Sequence, residues 1–478
     1  YAFELVIDKS VEVGQSAILA LNKISQHIKA EHVDSQLLSV IVNLAHDERV
    51  EEYRIAAAKL FNELAPVFGK ELCTNTVVQE IISLSEDPSL LVRKTVAQNL
   101  GNICFEIGVE ETDSKLVPVF MTLSRDDIWG VRKACAESLP KVSQCCSEEV
   151  REKSLVELFE RFTDDVSRWV KMESYKNLGA FILSFRDNME NEDVPQEKRK
   201  ATVPDSLIKF FSDMAFVNDH DSQSESDLVE YCAYNFPAVV YTCGPQIFAS
   251  SDLERAYQHL VKDVQWKVRR SLACSLHEIA RIVGRDITER VLSSAFELFL
   301  RDLDEVKIGV ISNIATFLSN LSLAKREQYV PLICLLPEET DNWRIRARIS
   351  EQLGDMAMLV SVKCVRDVLL KPAQSSYDDQ FACVRTQAVQ SAGLLLKRLL
   401  PPTSSLPSSS SAAIETSDQS TNIDAIPTPN NDDIEENPYY RTDDEEERNA
   451  ARDELLAFLH SMARGAHYRR LAFIYACS

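Results

Sequence analysis

The sequence predicts an all-α fold, an α-solenoid in which about eleven helix pairs stack on one another. Three observations predict it: a basic residue recurs at intervals of 39, apolar residues follow each base at helical spacing, and another apolar segment separates consecutive repeats. The alternation with period two that marks strands is missing. One helix pair cannot bury its own apolar face, so neighbouring pairs must stack to form the core.

The recurring bases define the repeat. Successive bases are separated by 39, 39, 39, 98, 38, 39 and 39 positions, and in order they are Arg54, Arg93, Arg132, Lys171, Arg269, Lys307, Arg346 and Arg385. The interval of 98 equals two repeats of 39 plus an insertion of 20. It holds a divergent repeat that lacks the base, with Glu230 near that place.

Each repeat is predicted to hold two helices. Apolar residues one position before the base and three, seven and ten after it lie on one face of the second helix, as Val92, Val96, Leu100 and Ile103 do around Arg93. A glycine about fifteen residues after the base position favours the left-handed residue that closes a helix of about 15 residues. These glycines are Gly69, Gly108, Gly244 and Gly284.

Composition divides the chain into five segments. They are N-terminal repeats (1–185), a charged insert (186–202), repeats that begin with the divergent one (203–399), a linker (400–448) and a partial repeat (449–478). The insert has no apolar periodicity and is predicted to be a solvated loop. The linker is rich in Ser and Pro and then acidic, which is typical of a disordered segment.

The linker and the chain ends carry two further expectations. The acidic stretch 432–447 is interpreted as a solubilising linker, while docking on a basic partner and regulation by phosphorylation stay open as alternatives. The chain opens on Tyr1 rather than Met, and its last helix lacks a polar capping repeat. We therefore expect the natural chain to extend beyond this sequence.

Charge and cysteine usage restrict the partners and the compartment. The net charge of -22 disfavours nucleic acid and anionic membranes, because both need a basic face. No run of 18 apolar residues predicts a membrane span. The twelve cysteines include no CxxC pair, and several are predicted to pack as small core residues: Cys104, Cys135, Cys232 and Cys274. This usage indicates a reducing compartment, cytoplasmic and/or nuclear.

The sequence shows no constellation that carries chemistry. Motifs for phosphate binding, zinc proteolysis and serine hydrolysis are missing, and the eight histidines show no ligand spacing. We therefore assign no catalytic residue, no cofactor and no metal site, and we predict that the chain is not an enzyme.

All four tryptophans stand at one place in the repeat. Trp129, Trp266 and Trp343 lie three residues before the base and Trp169 lies two before it, so each falls in the turn within a pair or opens the second helix. The rings either pack on the adjacent turn and set the entry angle of the helix, or anchor a partner along a ridge of stacked turns. Both interpretations stay open, and these four residues are our candidate partner-binding residues.

An aspartate precedes most of the bases by six residues. This turn pattern resembles HEAT repeats, and the resemblance implies that the Asp and Arg of the turns form a ladder from repeat to repeat. Capping of the second helix by the Asp is compatible with that role. The residues assigned to the ladder are Asp87, Arg93, Asp126, Arg132, Asp165, Lys171, Asp263, Arg269, Arg346, Asp379 and Arg385.

Longer stretches carry a more specific resemblance. The segments "SRWVKMESYKNLGAFILSF", "DIWGVRKACAE", "DVQWKVRRSLACSLHEIA" and "DLDEVKIGVISNIATFL" resemble the regulatory subunit 1 family of protein phosphatase 4, which is similar to the scaffold subunit of protein phosphatase 2A. The resemblance implies a noncatalytic subunit that binds the protein phosphatase 4 catalytic subunit and recruits phosphoprotein substrates. Two features depart from the family: the insert before the divergent repeat is short here, and the linker after Leu400 is not part of its pattern.

The main alternative function is that of an importin-β-like nuclear transport receptor. That class is also an acidic solenoid of such repeats and shares the Asp-to-Arg turn motif, so the motif does not separate the two functions. The match of several whole repeats favours the phosphatase subunit.

Overall fold

A computed structural model of the chain describes residues 5–8, 10–27, 33–186, 203–217, 223–250, 252–399 and 445–463. Every regular element in those ranges is helical. Most of the predicted insert, nearly all of the predicted linker and residues 464–478 lie outside the described residues. The chain divides into two compact units, Tyr1–Ala256 and Tyr257–Ser478, which we call the N unit and the C unit.

In the N unit, first and second helices alternate along the chain. The first helices are Ser39–Ala45, Val78–Ser85, Val117–Leu123, Val156–Thr163 and Asp205–Met214. The short turns Val109–Glu111 and Glu148–Val150 open two of them. The second helices are Val11–Ser25, Glu51–Glu63 with Ala65–Leu72, Leu90–Gln98 with Gly101–Ile107, Trp129–Gln144, Arg168–Leu183 and Gln223–Ser250.

The C unit repeats this alternation. Its first helices are Ser293–Phe299, Leu323–Glu339, Val362–Cys364 with Leu370–Tyr377, and Glu445–Ala463, which begins within the predicted linker. Its second helices are Trp266–Ile287, Asp304–Ile311 with Ile314–Ser319, Trp343–Ala357 and Ala382–Leu399. The helix Asp252–Leu260 carries the boundary between the two units.

The second helices bury the face that the repeat predicts. Val92, Val96, Leu100 and Ile103 are fully buried, and so are their counterparts around Arg269. Full burial of one such side chain contributes about 1.5–3 kcal/mol, so the apolar face drives the stacking of pairs. The predicted all-α solenoid is confirmed, with its core distributed along the stacked helices.

The four predicted glycines connect second helices to the following first helices. All four have positive φ, between 72° for Gly69 and 84° for Gly108. Their ψ angles were expected near left-handed helical values, but they lie near 170°, for example 169° at Gly69 and 177° at Gly284. This is a region that glycine alone occupies readily, so the residue turns the chain sharply into the next first helix.

The first helices contain a feature that the repeat pattern does not predict. A π-helical turn occurs at the same position in several of them: Val33–Leu38, Cys73–Val77, Thr112–Leu116, Arg151–Leu155, Thr288–Leu292 and Val365–Leu369. Such a turn inserts one residue into a helix and shifts the apolar face around its axis. Its regular recurrence makes it part of the repeat architecture.

The cysteines pack as predicted, with one exception among those named. Cys104, Cys135 and Cys232 are buried, and burial raises the pKa of each thiol. Cys274 was expected in the core and is exposed instead. It follows the buried Ala273 and lies off the face that carries Leu272 and Leu276.

Candidate partner-binding surface

The turns between first and second helices are held by an aspartate. The Asp126 carboxylate accepts a hydrogen bond from the Ile128 N–H at 2.9 Å, and Asp165 accepts one from the Ser167 N–H at 2.7 Å. Asp263 does the same for the Gln265 N–H at 2.7 Å. Each carboxylate thus satisfies a backbone donor just ahead of the second helix, where no helical acceptor is available.

Arginines link these turns to one another within each unit. Arg93 donates from Nε and Nη2 to Asp126 at 2.6 and 3.1 Å, and its Nη1 donates to the carbonyl of Asp87 in its own turn at 2.9 Å. The same fork joins Arg54 to Asp87, Arg132 to Asp165, Arg269 to Asp302 and Arg346 to Asp379. In every case the aspartate follows the arginine by the same interval, 33 positions, so each arginine fastens one turn to the next.

These ion pairs are largely shielded from solvent. The Arg132 and Asp165 side chains are 13% and 9% exposed. The two-point geometry matches the planar guanidinium to the carboxylate and adds specificity to the charge attraction. The hydrogen bond from Arg269 lowers the pKa of Asp302, and burial opposes this shift less strongly. Asp302 therefore stays charged, which maintains its ion pair with Arg269.

Two of the predicted ladder residues, Lys171 and Asp263, are not joined in this way within the described part of the chain. At the same interval after Lys171 the chain has Pro204, which has no carboxylate, and Lys171 makes no ion pair within the described part of the chain. Asp263 caps its own turn, but Glu230 stands where the preceding arginine would be. Arg385 donates to the carbonyl of Asp379 at 2.6 Å, and the place of its partner in the next turn lies outside the described residues.

Sequence reasoning missed Asp302 as the partner of Arg269. It precedes Lys307 by five residues rather than six, because that repeat is one residue shorter. The constant interval between each arginine and its aspartate would have identified Asp302. That interval becomes apparent only after the structure has shown one Arg–Asp pair.

The four tryptophans lie at the starts of second helices, and their environments differ. The helices begin at Trp129, Trp266 and Trp343, and Trp169 is the second residue of its helix. The ring of Trp343 stacks on Phe381 of the following turn, with centroids 5.9 Å apart and planes inclined by 22°. The other three are substantially exposed to solvent.

Further apolar side chains stand in the same turns. Val166, directly after Asp165, is 97% exposed, and Val264, directly after Asp263, is 83% exposed. Ile128 and Leu303 occupy related places and are exposed as well. We call turns 86–89, 124–128 and 164–167 with Trp129 and Trp169 the N-unit turn surface. Turns 261–265, 300–303, 340–342 and 378–381 with Trp266 and Trp343 form the C-unit turn surface.

Among the described residues, no group of three or more His, Cys, Asp or Glu is placed to hold a metal ion. Within the same ranges, no helix is both long and apolar enough to span a bilayer.

Stacked helix pairs joined by Asp–Arg turns define the class of HEAT-repeat proteins. Comparison with known proteins agrees. The HEAT repeat family matches residues 116–146, which hold one first helix and one second helix. The family described as the protein phosphatase 4 regulatory subunit 1 middle domain matches residues 232–336.

Curated relatives place the chain more closely. It is 35% identical over 217 residues to the human serine/threonine-protein phosphatase 4 regulatory subunit 1, a match that covers 44% of this chain and 23% of that protein. It is 22% identical over 276 residues to the mouse regulatory subunit 4, covering 54% and 30%. The match thus spans about a quarter of the length of the subunit 1 relatives. The resemblance predicted from the sequence is confirmed: the chain is similar to proteins that are named regulatory subunits of protein phosphatase 4.

Solved structures show the same fold at low sequence identity. A yeast importin-β (Kap95p) matches with a TM-score of 0.56 and 13% identity, covering 83% of this chain and 50% of that one. Kap95p in a study of its binding to RanGDP matches with a TM-score of 0.59 and 12% identity, covering 97% and 56%. At this identity the likeness concerns the fold alone.

Proposed function

We propose that the chain is a noncatalytic scaffold of protein phosphatase 4, which binds the catalytic subunit through its turn surfaces and holds phosphoprotein substrates nearby. The observation that supports this proposal is the set of exposed apolar residues beside the Asp–Arg pairs on each turn surface. An apolar side chain such as Val166 at 97% exposure contributes nothing to the core, and its place on a rigid turn suits contact with a partner.

The Asp–Arg pairs give these turns a further advantage in binding. Each pair fixes two consecutive turns before any partner arrives, so little conformational freedom is lost on association. A scaffold needs no reactive group of its own, since it acts by raising the effective concentration of substrate near the enzyme. The catalytic metals would then belong to the catalytic subunit.

Replacement of the exposed valines tests this proposal. Val166→Glu and Val264→Glu place a charge on each turn surface without touching the core, because both side chains face solvent. At least one of them should weaken capture of the purified protein phosphatase 4 catalytic subunit by about tenfold or more, measured by surface plasmon resonance. Trp266→Ala should weaken capture in the same direction with helical circular dichroism retained.

The matched control is Leu335→Glu, an exposed leucine on a first helix outside both turn surfaces. It should leave capture unchanged. Wild-type affinity in both valine variants would contradict the use of the turn surfaces.

The importin-β alternative is tested in the same assay. Capture of the small GTPase Ran, with no capture of the phosphatase, would favour a transport receptor. The more extensive sequence match to phosphatase subunits leads us to expect the opposite result.

The proposal includes a cytoplasmic and/or nuclear location. Nine of the eleven cysteines in the described residues are buried free thiols, as in proteins of reducing compartments. Imaging of the tagged chain checks this expectation.

A further inference from the structure

A cleft of about 390 Å³ opens on the second helices of the N unit. Its walls come from the helices Trp129–Gln144, Arg168–Leu183 and Gln223–Ser250. One part of the lining is aromatic or apolar and consists of Trp169, Met172, Tyr231 and Tyr234. The other part is charged and consists of Lys133, Glu173 and Lys176. We call this feature the Trp169 cleft.

The cleft is built by close helix packing. At Gly179 a Cβ atom would lie 2.7 Å from the Asn235 side-chain oxygen, so only glycine lets the two helices approach this closely. Asn235 Nδ2 donates to the carbonyl of Tyr175 at 2.8 Å and to that of Tyr231 at 2.9 Å. The tyrosine wall is therefore fixed against the tryptophan-bearing helix before any ligand binds.

The aromatic wall is open to solvent. Tyr234 is 65% exposed and Trp169 is 54% exposed. Within the described part of the chain neither ring stacks on another aromatic ring, whereas Trp343 stacks on Phe381. Large aromatic side chains stabilise a fold mainly through buried area, and these two leave about half or more of that area uncovered. Both ring faces are therefore available to a ligand.

The one carboxylate among the residues that line the cleft is already occupied. Glu173 is buried and accepts hydrogen bonds from Lys133 Nζ at 3.0 Å and Lys176 Nζ at 3.3 Å. Asn177 Nδ2 also donates to it at 3.0 Å. Burial raises the pKa of Glu173, but the two lysines together lower it below its ordinary value, so the group stays charged. It has little capacity left to accept a hydrogen bond from a ligand.

The charges around the cleft nearly cancel. Outside the lining, the Glu137 carboxylate acts on Lys176, and the carboxylates of Asp227 and Glu230 act on Tyr231. With Glu173 they make four anions, against three cations: Lys133, Lys176 and Arg168. An acidic ligand would meet this surplus of carboxylates, and a basic one would meet the two ammonium groups in the lining. The cleft therefore suits a segment without net charge.

The lining presents hydrogen-bond donors in excess of acceptors. Its donors are an indole N–H, two phenol hydroxyls and two ammonium groups, from Trp169, Tyr231, Tyr234, Lys133 and Lys176. Within the described residues, no group pairs with the indole N–H or with either hydroxyl. Burial and the nearby Asp227 carboxylate raise the pKa of Tyr231, so its hydroxyl keeps its proton and can donate. A matching ligand offers acceptors and few donors.

A proline-rich segment has this combination of groups. Proline has a carbonyl acceptor but no N–H donor. In the polyproline II conformation no carbonyl is used in an internal hydrogen bond, whereas an α-helix pairs its own carbonyls. An ordinary extended segment would bring N–H groups for which the lining has almost no acceptor. Proline rings also pack on aromatic faces, and the stiff segment loses little entropy on binding.

We propose that the Trp169 cleft docks a proline-rich segment of a substrate protein in the polyproline II conformation. A proline ring packs between Trp169 and Tyr234, and carbonyls of the segment accept hydrogen bonds from Tyr231 and Lys176. This assignment rests on the proposed scaffold function and names the chemistry by which a substrate is held.

Selection from random peptides displayed on phage tests the assignment. The purified chain is the bait, and the enriched peptides should contain at least two prolines and carry no strong net charge. The most enriched peptide is then synthesised with a fluorescent label, and its affinity is measured by anisotropy. Replacement of its prolines by alanine should weaken binding at least about tenfold, because alanine restores the N–H groups and loosens the extended conformation.

Two variants of the chain test the two walls of the argument. Tyr234→Ala removes an exposed ring and should weaken binding at least about tenfold with helical circular dichroism retained. Tyr231→Phe keeps the ring and removes a donor, which should weaken binding about three- to tenfold. The affinity should change less than about twofold when salt is raised, because an uncharged ligand is not screened.

Phe105→Ala is the matched control. Phe105 is also an exposed aromatic residue on a second helix of the N unit, but it does not line this cleft. This variant should bind the peptide as the wild type does.

The linker of this chain supplies a second probe, since residues 400–407 read LPPTSSLP. A labelled peptide of that sequence should bind more weakly than the selected one. Tighter binding would assign the cleft to the chain's own linker and overturn the assignment to a substrate.

Other results would also overturn the assignment: no enriched peptide, enrichment of peptides without proline, a steep loss of affinity with salt, or equal affinity of the wild type and Tyr234→Ala. Failure of the scaffold function gives a different pattern. In that case the valine variants capture the catalytic subunit normally, or the wild type does not capture it, while the labelled peptide still binds the cleft.

Discussion

At the scale of single residues, the turns owe their rigidity to a guanidinium that contacts two turns at once. Arg132 binds the Asp165 carboxylate at two points and the carbonyl of Asp126 in its own turn. The sequence predicted that the arginines and the aspartates both lie in turns. Spacing alone, however, paired each arginine with the aspartate six residues before it. The partner in the following turn was implied only by the HEAT resemblance.

Arg132→Ala is expected to lower the free energy of unfolding by about 2 kcal/mol, because it leaves the shielded Asp165 carboxylate without its cationic partner. This value lies between those of exposed and fully buried pairs. Lys171→Ala is the matched control, because that base has the same place in the repeat but Pro204 stands where its aspartate would be. It should change the free energy by less than about 0.5 kcal/mol. Urea unfolding followed by circular dichroism measures both, and equal losses would show that the ion pair is not what stabilises the turn.

The tryptophans show a second limit at this scale. Their positions were predicted, but packing and exposure could not be told apart from sequence. Trp343 is partly covered because its ring stacks on Phe381 in the next turn. The exposure of Val166 and Val264 was not predicted, because an isolated valine after an aspartate belongs to no periodic apolar pattern.

At the scale of the helices, periodicity predicted the second helices well. Those at Trp129–Gln144 and Trp343–Ala357 have 16 and 15 residues, close to the expected length. Three others are interrupted, at Leu64, Asn99 and Asn313, whose backbones leave the helical region. Those breaks and the π-helical turns depend on contacts between neighbouring pairs, so the pattern within one helix does not reveal them.

The linking glycines allow a test of backbone conformation at this scale. Gly284→Ala should lower the free energy of unfolding by about 1–2 kcal/mol, because φ is 78°. An added Cβ would meet nothing within 4 Å, so the cost comes from the backbone alone. Thermal unfolding measures the change.

Gly393→Ala is the matched control in the same unit. Gly393 lies inside the helix Ala382–Leu399, and a Cβ there also meets nothing within 4 Å. Alanine should stabilise that helix by about 0.5–1 kcal/mol. A loss of stability at Gly393, or none at Gly284, would contradict the backbone argument.

At the scale of the whole molecule, the core is spread along the chain, so the reactivity of each thiol reports on its own pair of helices. Of the eleven cysteines in the described residues, Cys274 and Cys383 alone are exposed. Burial raises the pKa of the other nine thiols, to about 12 at Cys73 and Cys364, and it also raises the pKa of Cys274. Thiolates are therefore scarce at those sites in the folded chain.

Alkylation with iodoacetamide should label Cys274 and Cys383 first in the native chain, as mapped by mass spectrometry of peptides. The buried cysteines should react only after urea is added. A Cys477→Ser variant removes the cysteine outside the described residues. Rapid labelling of Cys104 or Cys135 in the native chain would contradict the packed core, because both are fully buried.

The sequence by itself determined the class of fold, the period of the repeat and the residues of its buried face. These follow from local periodicity, because apolar residues at helical spacing form one face that must be buried. Neighbouring helix pairs of similar sequence bury that face by stacking on one another. Only the tertiary structure decided which aspartate each arginine holds, which tryptophan is covered, and that Trp169, Tyr234 and two lysines share one cleft. Those outcomes depend on contacts between residues that lie one or more repeats apart, and no local pattern encodes such distances.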